Sequence, residues 1–533
     1  FSHLLTSVDS SLEETKSIWS NISYWPFKIF RTTNSLSAFD SSPYDDHERI
    51  KKQMDRMMFE LIHSQLDNGY LGTYVPSEYW TSWDVWSHKY NLYGLLAYYT
   101  TTGYQPALEA CKRMGDLLCS TFGNGPGQRD IILAGEHMGM AATSVLDPMV
   151  ELYKYTGDKK YLDFCYYILD AWEHANGPKI ISALLSTGKV TKVGNGKAYE
   201  MLSNLVGLTK LYRVTGDEKL LKPVLIAWQD IVANRLYITG TTSSMEYFQD
   251  DDVLPAAAKD HIGEGCVTVT WIQLNQSLLS ITGDVKYLEE IEKSVYNHLL
   301  AAENPQTGCV SYYTPLMDKK PYSCDITCCT SSVPRGIAMI PYFTFGKVNN
   351  IPTLMLYENA LYKETITTAD KKNIDVSLKV ETGFPEHGNV LIFVNTSADA
   401  AFPIALRIPS WCENFIAKVG DEEFKSVSNQ YLTIDRVWKA GDKIKISFDI
   451  PLKELSGGKS YPDQIAFKRG PQVLAYDSDL NTKVLLKRWI GTQVYDVILK
   501  NEMKQKIVVV PFADAGQTSA DVKVWLPLFQ TLK

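Results

Sequence analysis

Leu211-Tyr212-Arg213-Val214-Thr215-Gly216-Asp217, followed by Lys219-Leu220-Leu221, is one copy of a recurring joint. Leu152-Tyr153-Lys154-Tyr155-Thr156-Gly157-Asp158 precedes Lys160-Tyr161-Leu162, and Leu279-Ser280-Ile281-Thr282-Gly283-Asp284 precedes Lys286-Tyr287-Leu288. A shorter copy, Tyr98-Tyr99-Thr100-Thr101-Thr102-Gly103, lies upstream. Each copy predicts a helix stopped by a left-handed glycine, and in the three full copies an aspartate then caps the next helix. The glycines are 54, 59 and 67 residues apart, enough for two helices and a long loop. Repeats of this kind stack into solenoids or close into toroids. Open scaffolds have shorter, more regular periods, so the expectation is a closed helical toroid whose long loops converge on a cavity at one end.

Upstream, Ile50, Met54, Met57, Met58, Leu61 and Ile62 recur at helical spacing from His47 onward, and Gly69 to Tyr74 reads as a loop. Residues 1–45 are rich in Ser and Asn and carry no assignment. Near residue 343 the period changes to two. Val376, Leu378 and Val380 alternate, as do Ile404, Leu406 and Ile408, then Ile444, Ile446, Phe448 and Ile450. With turn signals between them, and with 506–512 and 522–526 continuing the pattern, these runs predict antiparallel sandwiches. The fold class is multidomain α and β: a helical toroid over 46–343, a β-sandwich over 344–455, and a second sandwich or continuation over 456–533.

The chain has 533 residues, 45% of them hydrophobic and 21% charged, with a net charge of −8, which excludes a general affinity for nucleic acid. No apolar run approaches the roughly 20 residues that span a bilayer. Aromatic residues make up 12% of the chain and include 31 Tyr, a bias that suits stacking on sugar rings as well as ordinary core packing.

Five of the nine cysteines lie between His261 and Arg335: Cys266, Cys309, Cys324, Cys328 and Cys329. This clustering favours a metal or reactive site over a disulfide framework. Glu264 and Cys266, two apart, can reach one ion from an extended or turn segment. Cys328 and Cys329 would complete a tetrahedral one-carboxylate, three-thiolate set of the sort zinc accepts. The same residues also fit a purely stabilising zinc, or buried free thiols. Cys309 and Cys324 are reserve ligands.

Asn68-Gly69-Tyr70-Leu71-Gly72-Thr73, His88-Lys89 with Gly94-Leu95-Leu96, Leu406-Arg407-Ile408-Pro409-Ser410-Trp411, Arg436-Val437-Trp438-Lys439-Ala440-Gly441-Asp442 and Lys468-Arg469-Gly470-Pro471 follow one another along most of the chain. Together with the Glu-x-Cys and the Cys-Cys pair, they resemble the β-L-arabinofuranosidase group of glycoside hydrolases, family 127 and the related family 146. The resemblance implies an (α/α)6 toroid with β-sandwich domains, a zinc site, and a retaining mechanism with Cys328 as nucleophile. Metal binding would hold that thiol, with an ordinary pKa near ~8.5, as thiolate. Attack on the anomeric carbon would give a thioglycosyl intermediate. The leaving oxygen needs a proton. Glu246 matches the family acid/base, in preference to the neighbouring Asp250, Asp251 and Asp252, which read as a solvated loop. His88 matches a sugar-binding histidine of the family, while His137 and Asp147 sit where a second substrate loop begins. Tyr70 and Trp83 are candidate rim aromatics.

Two departures bear on the glycone. Thr330-Ser331-Ser332 stands where the family has Pro-Pro-Asn, and Gly196-Lys197-Ala198 replaces a Gly-His-Ala segment. Lys197 would favour an acidic group on the substrate. The expected activity is release of a terminal β-L-arabinofuranosyl or related sugar, including an acidic, pectin-derived one, from an oligosaccharide or polysaccharide side chain. The competing readings are a non-catalytic sugar-binding protein with a structural zinc, and a toroid lyase or inverting hydrolase using two carboxylates. Phe1 in place of an initiator Met leads to the expectation of an exported protein, periplasmic or extracellular; zinc-bound thiols would also suit a reducing cytoplasm.

Overall fold

The computed structural model describes residues 47–368, 371–481, 494–498 and 506–527. The segment 1–45, left unassigned above, lies outside the described residues. Two compact units are present: one contains residues up to Ser277 together with Ala302–Ala338, the other Leu278–Ala301 together with Met339 onward.

In the first unit, α1 (His47–His63) buries Met54, Met57, Met58 and Leu61, as its spacing predicts. Helices α2 (Asp84–Thr102) and α3 (Gln105–Thr121), α4 (Leu146–Thr156) and α5 (Lys159–Trp172), and α6 (Ala198–Thr215) and α7 (Glu218–Asp230) form consecutive hairpins. The first helices pack on one another, α4 touching both α2 and α6, while each second helix packs outside its own partner. This is the inner and outer ring of an α/α toroid. The inner helices α2 and α6 are buried around most of their circumference, whereas α3, α5 and α7 bury one stripe. No described helix is long and apolar enough to cross a membrane.

The joints follow local chemistry. Gly103, Gly157, Gly216 and Gly283 have φ of 71°, 69°, 71° and 67°, the left-handed region glycine enters without a Cβ penalty. Asp158, Asp217 and Asp284 accept hydrogen bonds from the amides of Lys160, Lys219 and Lys286 at 3.1, 3.0 and 3.0 Å. The threonine before each glycine adds a clasp the repeat did not foretell. Thr156, Thr215 and Thr282 donate to the carbonyl four residues back at 2.8, 2.8 and 2.9 Å. The same oxygens accept from the aspartate amides at 3.3, 3.3 and 3.1 Å.

The second unit holds a sandwich. Strands β1 (Phe345–Val348), β2 (Ile351–Leu354), β3 (Ala360–Thr367), β4 (Asn373–Thr382), β5 (Asn389–Thr396), β6 (Ala400–Ile408), β7 (Glu413–Val419), β8 (Glu422–Lys425), β9 (Gln430–Trp438) and β10 (Asp442–Asp449) form two sheets, ordered β8-β7-β10-β5-β4-β3 and β9-β6-β2-β1. All pairs are antiparallel except β2 with β6. The alternating residues named above face the shared core, beside Trp411 and Trp438. The sandwich boundary expected at 455 falls inside β11 (Leu452–Ser456), which does not join these two sheets. This strand pairs instead with β12 (Gln464–Arg469) and opens the next sheet, which continues through β13 (Gln472–Asp477) and β15 (Lys506–Pro511) to β14 (Tyr495–Ile498).

Leu278–Ala301, read from sequence as part of the toroid, packs with the β-rich unit through a buried cluster. Arg407, fully buried, donates to Glu292 at 2.7 and 3.0 Å and to Glu289 at 2.6 Å. Trp411 Nε1 donates to Glu292 at 2.8 Å, and the Asn297 side chain joins Pro471 and Val473 at 2.9 and 2.6 Å. Several motifs that carried the family resemblance are therefore structural clamps.

Candidate active site

All four expected metal ligands lie in the first unit, and two short helix starts bring them together. Helix α8 (Gly265–Thr282) begins immediately after Glu264, so Cys266 sits in its first turn and not, as expected, in an extended segment. Helix α9 (Cys328–Ala338) begins with the cysteine pair. Thr327 caps it: the Thr327 hydroxyl accepts from the Thr330 amide at 3.2 Å and the Thr330 hydroxyl accepts from the Thr327 amide at 3.3 Å. Thr330, a departure from the family pattern, is thus half of a reciprocal cap. Ser332, another, lies 3.1 Å from Cys266 Sγ. The two helix starts approach so closely that a Cβ on Gly265 would meet Val333 at 2.6 Å and Cys329 Sγ at 3.3 Å. Positive helix ends favour thiolates, and the three thiols in first turns could, with Glu264, hold a metal ion.

The ligand atoms of Glu264, Cys266, Cys328 and Cys329 lie within 4.8 Å of one another. Cys329 Sγ is 3.7 Å from Cys266 Sγ and 3.9 Å from Cys328 Sγ, and Cys328 Sγ is 3.9 Å from Glu264 Oε1. A tetrahedron with metal–sulfur arms of about 2.3 Å has edges of about 3.8 Å. Glu264 Oε2 is buried without a hydrogen-bond partner, as a carboxylate awaiting a cation would be. Burial, then the Cys328 thiolate, push the Glu264 carboxyl well above its usual range. Burial likewise raises Cys266 and Cys329, whereas hydrogen bonds from those two thiols, and from Tyr312, hold Cys328 well below an ordinary thiol.

Cys328 is the one member of the set that is only partly buried. It opens on a cavity of about 430 Å³ lined in part by Trp83, Trp86, Lys197, Glu200, Glu246 and Tyr312. Glu246 reaches this cavity from a two-residue turn, Ser244-Met245-Glu246-Tyr247, whose Tyr247 amide bonds Ser244 O at 2.9 Å. Both central residues are left-handed, with φ of 51° and 69°, the geometry of a type I′ turn without its usual Asn-Gly. Lys197 and Tyr313 contact the two carboxylate oxygens of Glu246, and Tyr312 adds a third hydrogen bond at 3.2 Å. Burial alone would raise the Glu246 carboxyl; these partners more than offset it and hold it below the ordinary range.

Lys197 therefore meets a protein carboxylate, which removes the basis for expecting an acidic substrate group. His88 is not at the cavity. Its Nε2 accepts from the Leu71 amide at 3.3 Å and its Nδ1 bonds Asp84 O at 2.9 Å, so the backbone occupies both nitrogens. Tyr70 is buried too, donating to Asp84 at 2.8 Å and stacking on Tyr79 at 3.8 Å. Asp147 is tied to Lys210 at 2.6 Å and to Tyr93, away from the cavity lining. These three are framework residues. His137 lies behind the lining, 3.2 Å from Asn195 and 4.0 Å from Glu200, while Trp83 does line it. Asp251 is held by Lys189 at 2.7 Å and by Arg235. Cys309 and Cys324, the reserve ligands, form a disulfide with each other.

Glu200, Tyr312 and Tyr313 escaped the sequence reading. The Tyr-Tyr pair lay within the cysteine-rich stretch, and Glu200 stands one helical turn after Lys197; both were visible but lacked a metal-ligand or family signal. Tyr313 reaches the site because its strand segment bridges Glu264 in antiparallel register.

The β-L-arabinofuranosidase GH127 catalytic-domain family matches residues 31–342, and the GH127 middle domain matches 356–450. A non-reducing end β-L-arabinofuranosidase of Bifidobacterium longum is 23% identical over 496 residues, covering 81% of this chain and 72% of its own. The crystal structure of a GH127 β-L-arabinofuranosidase from Geobacillus stearothermophilus superposes with a TM-score of 0.75 at 19% identity, over 96% of this chain and 90% of that one. The GH127 β-arabinofuranosidase BT3674 gives 0.77 at 22% identity, over 98% and 93%. These likenesses establish the shared fold, and the catalytic-domain match, spanning more than half of the sequence, shows that the chain belongs to the GH127 β-L-arabinofuranosidase family of glycoside hydrolases.

Proposed function

We propose that the protein is a zinc-dependent, retaining exo-glycosidase that releases a terminal β-L-arabinofuranosyl or closely related neutral sugar from plant glycans, with Cys328 as nucleophile and Glu246 as acid/base. The observation that carries this reading is the Tyr312 hydroxyl, 3.2 Å from Cys328 Sγ and 3.2 Å from Glu246 Oε1. Nucleophile and carboxylate are therefore no more than about 6.4 Å apart. That is shorter than the roughly 6.5–9.5 Å an inverting enzyme needs to seat a water between its groups. Family membership and the names of its relatives support the sugar.

Glu264, Cys266, Cys328 and Cys329 would hold the zinc, which supplies charge that keeps the thiols deprotonated. Cys328 Sγ attacks the anomeric carbon, the C–S bond forming as the bond to the leaving oxygen breaks. Glu246 gives that oxygen its proton, then takes one from the water that releases the sugar. Because Lys197 and the two tyrosines hold Glu246 ionised in the free pocket, it must gain a proton when substrate enters. An acidic glycone is disfavoured because Lys197 is already paired. The Cys309–Cys324 disulfide supports an oxidising, exported setting.

Hydrolysis of an aryl β-L-arabinofuranoside followed by proton NMR tests the reading. The β-anomer is expected first, and Cys328→Ala should lower kcat by at least about 10³-fold with the circular dichroism unchanged. Release of the α-anomer first, or full activity in that variant, would refute the assignment.

A further inference from the structure

Glu246 is satisfied at both oxygens, but the cavity contains a second, differently placed carboxylate. Glu200 stands in the first turn of α6, lines the cavity, and is only 3% exposed. Its Oε2 has no hydrogen-bond partner, and the ion-pair neighbour of its Oε1 is His137 Nε2, at a loose 4.0 Å. A buried carboxylate oxygen left open in this way is exceptional in a folded protein and calls for a ligand. It is outside the metal set, which is complete with Glu264 and the three cysteines.

The surroundings specify what the ligand offers. Lys197 is the one cation in this lining and is already paired with Glu246, so an anionic group finds no counter-charge there. Trp83, Trp86 and Tyr199 supply apolar faces against which the C–H side of a sugar ring packs. What remains is a neutral ligand with hydroxyl donors. We propose that Glu200 is the residue that recognises the glycone, its carboxylate accepting hydrogen bonds from sugar hydroxyls beside the Lys197–Glu246 pair. This deepens the arabinofuranosidase reading and rests on it for the reaction used to test it.

Two variants, Glu200→Ala and Glu200→Gln, are assayed on p-nitrophenyl β-L-arabinofuranoside and on its 2-, 3- and 5-deoxy analogues. Wild-type enzyme should lose about 10²-fold in kcat/KM on at least one deoxy analogue. Glu200→Ala should lose a similar factor on the parent substrate, yet separate the parent from that analogue by less than about threefold, as a coupled pair does. Glu200→Gln, which removes a buried charge but keeps the shape, should match or exceed the wild-type melting temperature. Equal losses on the parent and every analogue, or no loss at all, would overturn the assignment. Failure of the wild type to cleave the parent would count against the arabinofuranosidase reading alone. Glu200 is then judged by calorimetric titration of wild type and Glu200→Ala with L-arabinose, D-xylose and D-galactose. Weaker binding in the variant supports the role; equal binding, or none by the wild type, overturns it.

Discussion

Glu246 occupies a position that folding does not favour. A left-handed non-glycine residue costs roughly 1–2 kcal/mol, and the turn carries two in succession, Met245 and Glu246. Such strain persists where the surroundings over-determine it, here through Lys197, Tyr312 and Tyr313. Met245 is 53% exposed and its side chain is free to change. Met245→Asn should therefore stabilise the protein by about 1 kcal/mol with activity retained, read as a rise in melting temperature; an unchanged or lower value would show that the turn is not under strain. Lys197 governs the chemistry of the same carboxylate. With Lys197 in place, the Glu246 pKa is depressed, and the limb of the pH profile that requires its protonated form lies at low pH. In Lys197→Met, burial is no longer offset by the ammonium and the pKa rises, so that limb should move to higher pH in kcat/KM. A profile that keeps its position would separate Lys197 from Glu246.

At the scale of elements, three of the four helix joints are a local device, Thr-Gly-Asp, in which one hydroxyl, one left-handed glycine and one carboxylate satisfy the backbone groups of two helix ends. Asp217→Ala removes the acceptor for the Lys219 amide and should cost about 1 kcal/mol in denaturant unfolding. The Thr327–Thr330 cap performs the same task where it positions thiols. The buried Arg407 is a different sort of element-level contact. It anchors the helix carrying Glu289 and Glu292 to the sandwich. Arg407→Leu leaves the buried Glu292 and the partly buried Glu289 without their counter-charge, with only Trp411 and Ser410 still donating to them, and should destabilise the β-rich unit by about 3–5 kcal/mol. A loss below about 1 kcal/mol would mean that water replaces the guanidinium at no cost.

Across the whole molecule, the proposed metal site joins residues more than sixty positions apart in sequence, so occupancy should register as stability. Stripping with a strong chelator is expected to lower the melting temperature, and zinc to restore it. Glu264, Cys266 and Cys329 are pushed towards their protonated forms in the metal-free protein, so zinc uptake should release protons. Calorimetry in two buffers of different ionisation enthalpy reads this directly; identical heats would contradict it.

The sequence by itself determined the helical joints, the strand periods and the Glu264–Cys266–Cys328–Cys329 set. Caps, periodicity and ligand chemistry are properties of neighbouring residues or of residue types. Even the departure at Thr330 has a local explanation, once it is paired with Thr327 across one helical turn. Which polar residues face the cavity was decided only by tertiary structure. His88, Tyr70 and Asp147 have the right chemistry for sugar binding, but Leu71, Asp84 and Lys210 consume their hydrogen-bonding capacity. Glu200 has no such partner for Oε2 and remains open to the cavity. The difference lies in contacts made after the helices assemble, and a buried polar group acts on a ligand only where those contacts leave it unsatisfied.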